Sequence, residues 1–145
     1  CCVPSLHIVI VLLVIFFWRK NFAAENYTQA EMEKWNRELY DRGLSIAQSV
    51  LYMKQHSVNC IPAAMFMITV TEKDLVTPED IYKFIDEIFK DSEDIKPEDR
   101  NAIQQHIRET YSQYLEKYEG SEESDRDWAN LILQWIRDYK PYSCS

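Results

Sequence analysis

The stretch CIPAAMFMITVT at residues 60–71 decides the class of the chain, because it can be read as helix or as strand. It is apolar almost all round, which suits an element buried on every side, and Pro62 is tolerated in the first turn of a helix begun near Asn59. Its β-branched end, Ile68 to Thr71, would also suit a strand. A lone strand has no ladder partner, however, and no second stretch of the chain supplies one. Residues 60–71 therefore read as a short central helix.

The sequence on either side follows helix grammar. Thr77-Pro78-Glu79-Asp80 offers an N-cap, a proline at the first helical position and acids facing the helix dipole. Ile81, Phe84, Ile85, Ile88 and Phe89 then form an apolar stripe. After the acidic linker from Asp91 to Asp94, Lys96-Pro97-Glu98-Asp99 opens a helix whose stripe is Ile103, Ile107, Tyr111, Tyr114, Leu115 and Tyr118, stopped at Gly120. Ser124 with Asp127 caps a last helix bearing Trp128, Leu131, Ile132, Trp135, Ile136 and Tyr139, and Pro141 ends it. Upstream, Thr28 with Glu31 forms a capping box for a helix over about 29–56, with Met32, Trp35, Leu39, Ile46, Val50 and Met53 as its apolar face. Gly43 falls on that helix and either admits a close neighbour or marks a bend. The expectation is an all-α bundle of about five helices over 25–145, a single domain.

Ile8 to Trp18 is an unbroken apolar run, and no charged residue precedes Arg19. Its length matches the core of a secretory signal and falls short of the ~20 residues of a spanning helix. Residues 1–24 are accordingly read as a signal peptide, cut short at its start since Cys1 is neither Met nor preceded by a basic region. The alternatives are an uncleaved anchor and an ordinary buried helix. With that segment set aside, Cys60 and Cys144 remain, and an even pair in an exported chain reads as one disulfide. Asn26-Tyr27-Thr28 is an N-glycosylation sequon.

Composition removes several functions. Of 145 residues only two are glycine, so glycine-rich nucleotide cradles are excluded. Acids outnumber bases 24 to 16, for a net charge of −8, and the bases are interspersed with acids, so nucleic acid and anionic membranes are poor partners. His56 and His106 read as surface histidines, and with no HExxH or CxxC no metal site is expected. Asp91 to Asp99 fails the calcium-loop pattern, with Lys96 where glycine is required. No GxSxG elbow is present, and neither catalytic residues nor cofactors are assigned.

The candidate binding residues are Met65, Met67, Tyr111, Tyr114, Tyr118, Trp128 and Trp135. They could line a cavity for an apolar ligand, present a recognition surface, or fill a core. A leader followed by a small helical, disulfide-stapled domain is similar in architecture to secreted carrier, salivary and effector proteins of invertebrates. The cysteine spacing of insect odorant-binding proteins is missing, so no residue role is carried over. The sequence expectation is a secreted, non-enzymatic protein that binds an extracellular protein partner through an acidic or tyrosine-bearing face. The alternative is a carrier of a hydrophobic small molecule or lipid. An enclosed cavity would favour the carrier, and a filled core with an exposed apolar patch the interaction protein.

Overall fold

A computed structural model describes residues 4–22, 24–54 and 56–139. The order is α1 (Leu6–Asn21), α2 (Gln29–Tyr52), α3 (Cys60–Thr71), α4 (Pro78–Glu87), α5 (Pro97–Glu119), a 3-10 turn (Glu123–Asp125) and α6 (Trp128–Asp138), with no strand among the described residues. No helix among them is long and apolar enough to cross a membrane.

The stretch at 60–71 is the central helix. Nine of its twelve residues are buried, and it packs against α1, α5 and α6. Asn59 does not cap it. Its Oδ1 instead accepts a hydrogen bond from His106 Nε2 of α5 at 2.6 Å, leaving the helix start without a side-chain cap.

The apolar run at the N-terminus, read from the sequence as a leader, is helical and packs against the helices that follow it. As α1 it packs on α2 and α3, and Ile8, Val9, Val11, Leu12, Ile15 and Phe16 are buried. The cause lies in α2. A Cβ added to Gly43 would come within 2.6 Å of Ile15 Cδ1 and 2.8 Å of Val11 Cγ1, so the missing side chain is the space that α1 fills. The buried residues of α2 are Gly43, Ala47 and Val50, while Trp35, Ile46 and Met53 from the expected apolar face are exposed. Backbone approach at small residues, rather than apolar bulk, selected the packed face. α2 also ends at Tyr52, ahead of the expected boundary, with Lys54 just beyond it in the left-handed region at φ 52°.

α4 has the expected N-cap at Thr77, and Asp80 bonds back to it to close a capping box. It ends at Glu87, so Ile88 and Phe89 are buried in the following turn and not on a helix. Phe89 takes a left-handed φ of 59° and donates its N–H to Gln48 Oε1 at 2.9 Å. Gln104 Nε2 of α5 donates to the carbonyls of Ile88 and Asp86, satisfying groups that the helix end leaves open. Gly120 caps α5 in a helical conformation, so its capacity for positive φ is not used. At α6 the cap is Asp127, which accepts from the N–H groups of Ala129 and Asn130, and Ser124 lies in the 3-10 turn.

Candidate functional site

A cleft of about 1050 Å³ lies between α1, α2 and α4. Arg19, in the last turn of α1, reaches across to Asp80, donating through both terminal nitrogens at 2.7 and 3.0 Å. The same carboxylate closes the α4 capping box through Thr77. Arg19 also lies 4.6 Å from the centroid of the Phe16 ring. Arg19 and then Thr77 hold the Asp80 carboxyl at a pKa of about 2 against the opposing pull of burial. Tyr40 packs edge-on to Phe84, and burial pushes its phenol up to about 12, helped by the acids around it. Lys34, Arg37, Lys83 and Lys90 stand on the walls among Glu33, Asp41 and Glu87. Such a mixture of signs suits a polar segment of another protein better than a wholly apolar ligand.

The candidate aromatic and methionine residues fall mostly in the core. Met65, Tyr111 and Tyr114 are buried, and Met67, Tyr118, Trp128 and Trp135 pack partly exposed against the same core. The tyrosine row on α5 therefore does not form a face: Tyr111 and Tyr114 point inward, and Tyr118 is partly exposed. Tyr111 Oη lies 2.9 Å from Thr69 Oγ1, which donates onward to the Met65 carbonyl. Burial raises the pKa of both Tyr111 and Tyr114. Tyr114 stacks on Phe66, and its buried hydroxyl has no hydrogen-bond partner among the described residues. Tyr118 borders a cleft of about 320 Å³ and Trp135 one of about 400 Å³, and neither cleft is lined by Met65 or Met67.

The histidines are not free surface groups. His106 is half-buried on Asn59, and burial lowers its pKa. His56 pairs with His7 of α1, their ring nitrogens 3.2 Å apart. Among the described residues no group of three His, Cys, Asp or Glu side chains converges to hold a metal ion. Asn26 is exposed in the turn between α1 and α2, and Cys60 is buried at the start of α3. Cys144 lies outside the described residues.

Sequence reading missed the outer face of α1. Leu6, Ile10, Val14, Phe17 and Trp18 all face solvent there. The signal was their helical spacing, hidden inside a run that reads as uniformly apolar. Exposed large apolar side chains also occur on α2, at Trp35, Ile46 and Tyr52, just after it at Met53, and on α6, at Leu133 and Ile136. No protein-family model, curated protein or solved structure matches this chain.

Proposed function

We propose that this chain is a non-enzymatic interaction protein that works outside the cell by binding another protein. The observation that carries the reading is a division of its apolar side chains. Met65, Phe66, Tyr111 and Tyr114, which a carrier would need around a cavity, fill the core, while a contiguous row of large apolar residues on α1 faces solvent. Exposed apolar surface of that extent is costly in water and is a common mark of a protein-binding face. The extracellular setting is supported by the exposed sequon at Asn26, and we propose that Cys60 and Cys144 are disulfide-bonded there.

The test is native mass spectrometry of the chain recovered from a eukaryotic secretory host, followed by its denatured mass. Export with a glycan at Asn26, the loss of two hydrogens to a disulfide and no retained small molecule support the reading. A co-purified hydrophobic molecule of defined mass overturns it in favour of a carrier. Retention of the chain inside the cell overturns the extracellular setting.

A further inference from the structure

We infer that the outer face of α1 is where a second copy of this chain docks, helix against helix. This rests on the interaction reading above and names its partner. Leu6, Ile10, Leu13 and Phe17 follow at steps of four, three and four, the spacing of a seam between two supercoiled helices. Leu6, Ile10 and Phe17 are 63%, 51% and 47% exposed, and Val14 and Trp18 flank them at 38% and 40%. Leu13 is partly buried against the core and anchors the seam to the body of the molecule.

Charge and area select the occupant. No Asp, Glu, Lys or Arg occurs from Pro4 through Trp18, on a chain whose net charge is −8. Two copies repel wherever acidic surfaces meet, and an uncharged stripe is where they approach at least electrostatic cost. A stripe that is apolar throughout is also complementary to itself under a two-fold axis, as an isologous contact requires. Antiparallel pairing places the Arg19 and Lys20 of the two copies at opposite ends and sets the helix dipoles head to tail. The exposed parts of the five side chains amount to about 400–500 Å² per copy, so a pair buries roughly 1,000 Å² in all, the lower bound of a specific interface. That predicts a reversible dimer rather than an obligate one. A lipid surface is the poorer match, because the cations beside the stripe, though exposed, are bonded within the chain, Arg19 to Asp80 and Lys20 to the Asp74 carbonyl.

The experiment is sedimentation velocity on the full chain over a concentration series, after intact mass has established that residues 4–22 are present. The expected result is a monomer–dimer equilibrium with a Kd in the micromolar range. Ile10→Glu and Phe17→Glu should each weaken it at least tenfold while circular dichroism and thermal melting stay native. Ile46→Glu, an equally exposed apolar site on α2, should leave it unchanged. A wild-type monomer at every concentration overturns the proposal, as does a dimer indifferent to the α1 variants. A monomer that floats with phosphatidylcholine vesicles assigns the face to lipid and also overturns it. A mature chain lacking residues 4–22 does the same and also removes the α1 row that carries the broader reading, whereas the other outcomes leave that reading standing. It is a retained small-molecule ligand that overturns the broader reading while leaving the dimer untouched.

Discussion

At the scale of single residues, two neighbouring tyrosines of α5 have opposite energetics. Tyr111 shares its hydroxyl with Thr69 at 2.9 Å, whereas the Tyr114 hydroxyl is buried without a partner among the described residues. Removing a satisfied buried hydroxyl costs about 1 kcal/mol, and removing an unsatisfied one relieves desolvation. Tyr111→Phe should therefore lower unfolding free energy by about 1 kcal/mol in urea titration, with Tyr114→Phe neutral or stabilising. Equal losses from both would mean that the Tyr114 hydroxyl is bonded. Asp80 sets a pH dependence. Its pKa falls from 3.8 to about 2 on folding, so the unfolded chain takes up the proton first. The stability it contributes is complete above about pH 4 and is lost as pH falls toward 2. Asp80→Asn should cost about 1 kcal/mol at neutral pH, allowing for solvent screening of a partly exposed pair. It should also flatten the acid limb of the stability curve. An unchanged limb would show that other carboxylates carry it.

At the scale of elements, the contact of α1 with α2 turns on Gly43. Alanine there gains helix propensity of up to about 1 kcal/mol. It also drives a methyl group into Ile15 and Val11, and overpacking of a close contact costs about 1–3 kcal/mol. Gly43→Ala is expected to destabilise on balance. Ile15→Val removes the nearest clashing atom, so it should cost less in the Gly43→Ala background than in the wild type, a coupling that a double-mutant cycle reads directly. Additive effects would show that α1 does not sit on Gly43. The helix grammar of α4 and α5 was legible from local chemistry, since a cap, a proline and first-turn acids act within one turn. The end of α4 was not. Its stripe continues through Ile88 and Phe89, yet Gln48 and Gln104 from two other helices draw the chain out of helix at that point.

At the scale of the whole molecule, the proposed Cys60–Cys144 bond would link the central helix to the end of the chain. Each of Cys60→Ala and Cys144→Ala should lose about 2–4 kcal/mol, and the double variant should lose little more than either single one, because all three break the same crosslink. Alkylation of both thiols in the unreduced protein would sink the pairing. The aromatic and methionine set, from Met65 to Trp135, was read from the sequence as candidate binding residues, but composition does not say which side a ring faces. α3 settled that by sitting against α1, α5 and α6, so that Tyr111 and Tyr114 turn inward.

The sequence by itself determined the helical class, the capping box at Thr28 and the N-cap at Thr77, the buried character of residues 60–71 and the exclusion of glycine-rich nucleotide sites. These follow from interactions within a turn or two, or from composition alone. Only the tertiary structure decided that residues 6–21 pack on α2 and α3, that α2 packs through Gly43 and Ala47 and not through Trp35 and Ile46, and that the exposed apolar row lies on α1. An apolar run has the same sequence whether it leads a chain out of the cell or fills a groove. The surface it packs on lies on α2 and α3, beyond the reach of any local pattern.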